Sequence, residues 1–176
     1  KTLKAMNRHY NTEEYYGLVK KIRNIFPECS ITTDIMVGFP NETDEDFEAS
    51  LEFVKKVGFA KIHVFQYSPR NGTPAAKQPQ IKNSVKHERA DRMKNLGDEL
   101  KQKYLEKKIE IRDFMFGREV DQLHLSEKEK DNLSFYYYEK PDRFMQELRK
   151  YNLGEEIIME FEDILQKKIK LKTSDL

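Results

Sequence analysis

The sequence predicts an α/β fold with two parallel strands and three helices, followed by a mainly helical tail. Three observations predict it. Ser30–Val37 and Lys61–Tyr67 are rich in β-branched and aromatic residues at strand spacing. The segments before, between and after them repeat apolar residues at helical spacing. Strands separated by helices of this length pair in parallel, through right-handed crossovers.

Each element has its own signals. The first helix begins near Asn11-Thr12-Glu13-Glu14, with Thr12 as the expected cap and two glutamates at the positive helix end. Tyr15, Leu18, Val19, Ile22, Ile25 and Phe26 form its apolar stripe, and Pro27 stops it. The first strand, Ser30–Val37, ends at the turn Gly38-Phe39-Pro40-Asn41. Thr43 caps the next helix, with Asp46 in the capping-box position, Phe47, Leu51, Val54 and Val57 on one face, and Gly58 as the stop. The second strand, Lys61–Tyr67, leads into a loop from Ser68 to Gln80. A long helix follows over about residues 82–108, with Ala90, Met93, Leu96, Leu100 and Tyr104 on its stripe. Beyond residue 110 the signals weaken. Ile109–Phe116 is a candidate strand, Ser126-Glu127-Lys128-Glu129 starts a polar helix, and Pro141–Tyr151 is helical. Residues 155–171 fit both a helix and two strands, and the helix is preferred. The predicted division is therefore 1–109 and 110–176.

Two parallel strands do not make a stable sheet alone, because parallel strands are normally covered on both faces within larger sheets or barrels. Further strands are accordingly expected upstream. The absence of an initiator Met suits a fragment or a processed chain.

The bulk numbers narrow the function classes. The chain has 176 residues, 38% hydrophobic and 36% charged, which fits one domain or one and a half small ones with a modest core. No apolar run is long enough to span a bilayer, and Lys1-Thr2-Leu3-Lys4 is followed by no signal-peptide core. No membrane partner is expected, and the expected compartment is the cytoplasm. Cys29 is the single cysteine, so the chain cannot form an internal disulfide or hold an iron–sulfur cluster or zinc by thiolates alone. No metal site is expected. Charge is uneven: residues 13–60 carry net −5 and residues 77–112 net +5. The basic helix fits either a phosphate backbone or a solvated face paired with the acidic half, and the second is preferred.

The candidate site lies at the carboxyl ends of the strands, where ligands bind in parallel sheets and barrels. Asp34, Gly38, Pro40 and Glu42 occupy that end of the first strand. Gly38 allows close backbone approach to a flat ligand. Phe65 and Tyr67 occupy the end of the second strand, and Arg70 is suited to a carboxylate or phosphate. Tyr136–Tyr138 are suited to stacking on bases, though packing is the preferred role. His63, mid-strand, is read as structural and His87 as solvated.

Taken in order, L-K-x-M-N-R-x-Y, E-E-Y, I-T-T-D-I-x-V-G-F-P-x-E-T-x-E-D-F and K-I-H-V-F-x-Y-S-x-R-x-G-T-P-A-A resemble one family. It is the radical S-adenosylmethionine methylthiotransferases that modify tRNA, and the closest branch is the one acting on threonylcarbamoyladenosine next to the anticodon. The resemblance runs from about Leu3 to Ile109. It implies that this stretch is the C-terminal part of a partial parallel (βα) barrel. It also implies S-adenosylmethionine contacts from Asp34, Met36, Gly38, Pro40, Glu42, Phe65 and Tyr67. Arg8 is implied to face the cofactor or the substrate, and Arg70 joins it as a candidate substrate contact. The implied reaction inserts a methylthio group at C2 of the modified adenosine. The family uses two 4Fe–4S clusters, one of them held by C-x-x-x-C-x-x-C, and neither ligand set is present here. The chain alone is therefore expected to be inactive, with no catalytic residue of its own.

The family closes with a small basic β-barrel that grips tRNA. Residues 110–176 do not resemble it, since glycines are sparse and acidic residues slightly outnumber basic ones. Two further readings stand beside the enzyme: a cluster-less module that still binds S-adenosylmethionine or RNA, and an interaction protein built on the long helix and tail. The enzyme reading expects cluster cysteines encoded upstream of Lys1.

Overall fold

A computed structural model describes residues 1–27 and 29–173. Its described helices and strands are α1 (Thr2–Ala5), α2 (Thr12–Ile25), β1 (Thr32–Val37), α3 (Asp44–Val57), β2 (Lys61–Gln66), α4 (Asn83–Gln122), α5 (Glu127–Glu139), α6 (Pro141–Leu148) and α7 (Glu155–Thr173), with short 3-10 turns at Ala75–Lys77 and Arg149–Tyr151. Two compact units emerge, Lys1–Tyr104 and Leu105–Leu176, with the division inside α4.

In the first unit β1 and β2 form a two-stranded parallel sheet, in register from Thr32 opposite Lys61 to Val37 opposite Gln66. The crossover α3 is capped at both ends. Thr43 accepts from the Asp46 amide and Asp46 reaches back to the Thr43 amide, closing a capping box. Gly58 ends the helix at φ 64°, in the left-handed region that glycine enters without a steric penalty. Helix α2 is capped by Asn11 rather than the expected Thr12. The Asn11 carboxamide oxygen accepts from Glu13 and Glu14, and Glu14 returns the bond. The three-residue spacing of the box selects Asn11.

Because side chains alternate along a strand, one face of the sheet carries Ile35, Val37, Ile62 and Val64. This face packs on Val19 of α2, Phe47, Leu51 and Val54 of α3, and Ala90, Met93 and Leu96 of α4. Gly97 of α4 faces Ile62, where an added Cβ would make an ordinary contact at 3.5 Å. The opposite face presents Thr32, Asp34, Met36, His63 and Phe65, all exposed. It is this open face that bears the candidate site.

The second unit is entirely helical among the described residues. Its core is Phe116 and Val120 of α4, Leu123 just past that helix, Leu133 and Tyr137 of α5, Phe144 and Leu148 of α6, and Ile158, Phe161, Ile164 and Leu165 of α7. Phe116 stacks on Tyr137 with ring centroids 3.7 Å apart, and Phe144 and Phe161 meet Phe116 edge-on at 5.6 and 5.7 Å. Lys168 is buried here. Its Nζ lies 2.6 Å from Asp113 and 4.1 and 4.4 Å from the ring centroids of Tyr137 and Tyr138. Burial, and then the Asp113 carboxylate, push the Tyr137 phenol well above its ordinary range.

Ile109–Phe116 is helix, not strand, because α4 runs 40 residues without a break. The ambiguous 155–171 segment is the helix α7. The packing role preferred for the tyrosine run holds for Tyr137, whereas Tyr138 is 45% exposed.

Candidate functional site

Two cavities border the strands of the first unit. One, of about 530 Å³, is lined among others by Arg8, Tyr10, Asp34, Met36, Glu42 and Phe65. The other, of about 670 Å³, is lined among others by Met36, Phe39, Phe65, Tyr67 and Arg70. Met36 and Phe65, opposite each other in the sheet register, line both. Both volumes lie in the range of small-molecule sites, roughly 300–1,000 Å³. Of the nine residues singled out from sequence, Arg8, Asp34, Met36, Glu42 and Phe65 thus border the first cavity, and Met36, Phe65, Tyr67 and Arg70 the second.

Glu42 touches the first cavity but its carboxylate is engaged inside the fold. Its Oε2 accepts the Gly38 amide at 2.7 Å and pairs with Arg89 Nη1 at 2.6 Å, with Glu42 and Arg89 both buried. Arg89 also donates to the Glu42 carbonyl at 3.2 Å and to Asp44 Oδ1 at 2.7 Å. Pro40 is buried in a turn closed by the Glu42 amide on the Phe39 carbonyl at 3.0 Å, with Asn41 at φ 65°. Proline second and a left-handed residue third is type II turn chemistry.

Gly38, at φ 74°, borders neither cavity. A Cβ at this position would lie 2.5 Å from Cγ of Lys86, so the close neighbour of the Gly38 backbone in this structure is the Lys86 stem. Lys86 is itself buried, and its Nζ donates to the Tyr67 carbonyl at 3.0 Å. The Tyr67 ring packs edge-on against Phe39 at 5.1 Å, and its buried hydroxyl has no hydrogen-bond partner among the described residues.

Sequence reasoning missed two side chains here. Lys86 and Arg89 fall under the reading of a solvated basic helix paired with the acidic half, which fits the pairs of Arg89 with Glu42 and Asp44 but not the burial of either cation. Their role is visible only once the turn after β1 and the end of β2 are placed against α4. His63, read as structural from its place in the strand, is exposed and sits opposite Asp34 on the open face. The signal available for it was the alternation itself, since it shares parity with Phe65.

The arrangement suits a ligand with a flat, partly apolar body and charged groups. Met36 and Phe65 supply apolar surface, Asp34 can accept from hydroxyls or an ammonium, and Arg8 and Arg70 can meet carboxylate or phosphate. Among the described residues no group of three or more His, Cys, Asp or Glu is placed to hold a metal ion. With Cys29 the single cysteine, a 4Fe–4S cluster does not fit this chain's own residues.

The chain is similar to known proteins over part of its length. Residues 1–54 match the Radical SAM superfamily model. The chain is 50% identical over 99 residues to the tRNA-2-methylthio-N(6)-dimethylallyladenosine synthase of Caldicellulosiruptor saccharolyticus, covering 56% of this chain and 21% of that protein. It is 46% identical over 114 residues to the enzyme of the same name from Alkaliphilus oremlandii, covering 62% and 24%. To that of Endomicrobium trichonymphae it is 59% identical over 76 residues, covering 43% and 18%. The matched stretch thus spans about a fifth to a quarter of these relatives. Over that stretch the chain is similar to tRNA methylthiotransferases, and its first 54 residues match the Radical SAM superfamily model.

Proposed function

We propose that residues 1–104 are the cofactor- and substrate-facing later part of the catalytic domain of a tRNA methylthiotransferase, its two strands belonging to a partial parallel barrel. The observation that carries this reading is the open sheet face. Asp34, Met36 and Phe65 meet there around a cavity of ligand size, in a chain 46–59% identical to such enzymes over the matched stretches.

S-adenosylmethionine fits the donor set, with Asp34 toward its polar groups and Met36 and Phe65 against the adenine. When bound, it supplies the radical and methyl chemistry of the reaction. Tyr67, Gly38, Pro40 and Glu42 act as the frame of this site, Glu42 through Arg89 and Gly38. Arg8 and Arg70 face the tRNA substrate. The base is an N6-substituted adenosine methylthiolated at C2. The names of the relatives favour the dimethylallyl form over the threonylcarbamoyl form expected from the motifs. The thiolates for two 4Fe–4S clusters come from outside this chain, which alone catalyses nothing. A working enzyme of this class acts in the cytoplasm, where tRNA is.

Calorimetric titration of the 176-residue chain with S-adenosylmethionine tests the site. Binding that Phe65→Ala and Asp34→Asn each weaken about tenfold supports the placement, in line with the loss of one stacking or charged contact. Binding unchanged by both variants overturns it. Mass spectrometry of tRNA nucleosides after incubation with the chain tests inactivity, and a methylthioadenosine product overturns that part.

A further inference from the structure

Helix α4 sends two buried cations, one turn apart, to the two strand ends that frame the candidate site. Arg89 goes to the β1 side. Its guanidinium holds the Glu42 carboxylate at 2.6 Å, the Glu42 carbonyl at 3.2 Å and Asp44 at 2.7 Å. The same Glu42 oxygen takes the Gly38 amide at 2.7 Å, so the guanidinium acts on the strand-end backbone through one carboxylate. Lys86 goes to the β2 side. Its ammonium takes the Tyr67 carbonyl at 3.0 Å, while its stem fills the place a Cβ of residue 38 would occupy.

Burial of a cation requires compensation. Arg89 is 5% exposed and Lys86 4%, and both are compensated by groups of the strand-end segments. A helix that needed only to cover the sheet would do so with the apolar Ala90, Met93 and Leu96, which it also has. The two cations do something the apolar stripe does not, since hydrogen bonds of fixed direction set where Gly38 and Tyr67 lie. Side chains in direct contact with a ligand need this kind of support to stay within about 0.5 Å of their productive places.

We propose that Arg89 and Lys86 are positioning residues for the strand-end site, holding the Gly38–Glu42 turn and the Tyr67 backbone in the geometry that receives an adenosine-bearing ligand. Neither touches the ligand. Arg89 acts through Glu42 and Gly38, and Lys86 through Tyr67. The ligand part of the proposal rests on the function proposed above.

The test uses the full chain with Arg89→Lys, Arg89→Met and Lys86→Met, and two measurements. The first is hydrogen exchange at the Gly38 amide, which needs no ligand. The second is the S-adenosylmethionine dissociation constant, read beside the thermal midpoint. Arg89→Lys keeps the charge but loses the fork that bridges Glu42 and Asp44. It is expected to speed Gly38 exchange and weaken binding, each by about tenfold, the scale of a lost charge-assisted hydrogen bond. Lys86→Met keeps the stem over Gly38 and loses only the Tyr67 bond. It is expected to weaken binding severalfold and leave Gly38 exchange as it was. If Arg89→Met does not fold, Arg89→Lys and Lys86→Met still decide. Wild-type binding that all folded variants match overturns the proposal. If the wild type binds no S-adenosylmethionine, the proposed function fails on its own. Gly38 exchange then decides the positioning proposal, with faster exchange in Arg89→Lys supporting it and unchanged exchange overturning it.

Discussion

In the first unit Arg89 meets Glu42 with side chains 6% and 5% exposed, while in the second Lys168 meets an Asp113 that keeps 30% exposure. The first pair is enclosed, and its carboxylate is spent on a backbone amide beside the candidate site. The second rests on two tyrosine rings within an aromatic core, with its carboxylate partly exposed. Net charge differs as well, +4 for residues 1–104 and −3 for 105–176. The difference teaches that a buried cation serves two ends. In one unit it fixes the backbone at strand ends, and in the other it fills and orients an aromatic core. The first arrangement constrains geometry at a cavity, and the second contributes packing.

Breaking each arrangement sharpens the contrast. Arg89→Met leaves Glu42 buried without its cation, and the first unit is expected to lose about 3–5 kcal/mol, the usual cost of orphaning a buried charge. Phe116→Ala removes the ring stacked on Tyr137 at the centre of the second core, with a comparable expected loss of about 3–5 kcal/mol. Hydrogen exchange by mass spectrometry assigns each loss to its unit, and a Phe116→Ala loss that appears only in residues 1–104 would break the division. Lys168→Met is expected to cost less than Arg89→Met, about 2 kcal/mol, because solvent stabilises Asp113 when its partner leaves. Equal costs in denaturant melts would remove the contrast between the two pairs. Thr43→Ala deletes the cap of α3 in the first unit, and Ser126→Ala removes the hydroxyl that donates to Glu129 at the start of α5 in the second; each is expected to cost about 1 kcal/mol.

The smallest effect is in pH. The Thr43 amide, chiefly, holds Asp46 below its ordinary 3.8, and the Ser126 hydroxyl and amide hold Glu129 below its ordinary 4.5. A carboxylate depressed in the folded state contributes stability above its unfolded value, and that stability is lost as pH falls through the folded value. Circular dichroism between pH 5 and 2 is therefore expected to show helix loss starting below about pH 4.5. Loss that begins instead near pH 6 would point to histidine.

The sequence made the first unit far more legible than the second. β1, α3 and β2 each carry a period, a cap and a stop within a few residues, and those local signals set their limits. Thr43, Asp46 and Gly58 do in the structure what their order implies. Residues Ile109–Phe116 misled because isoleucines two apart imitate strand alternation. The structure continues the helix instead, with Phe116, Val120 and Leu123 turned to the core and Phe114 72% exposed. No glycine or proline lies between Gly97 and Gly117 to interrupt it, and that absence was the better signal. At the site, Met36 and Phe65 could be paired from strand parity. Lys86 and Arg89 could not be found, because a lysine and an arginine three apart on a charged helix look the same whether solvated or buried.

Gly38 is held from two independent sides, by its φ of 74° and by the Lys86 stem beside it. In genetic terms, this limits suppression. A shorter residue at position 86 would clear the space next to Gly38→Ala, yet the backbone angle would still penalise the new side chain. A suppressor screen begun from Gly38→Ala should therefore return true revertants far more often than changes at Lys86, and position 38 behaves as a point with no single-site escape.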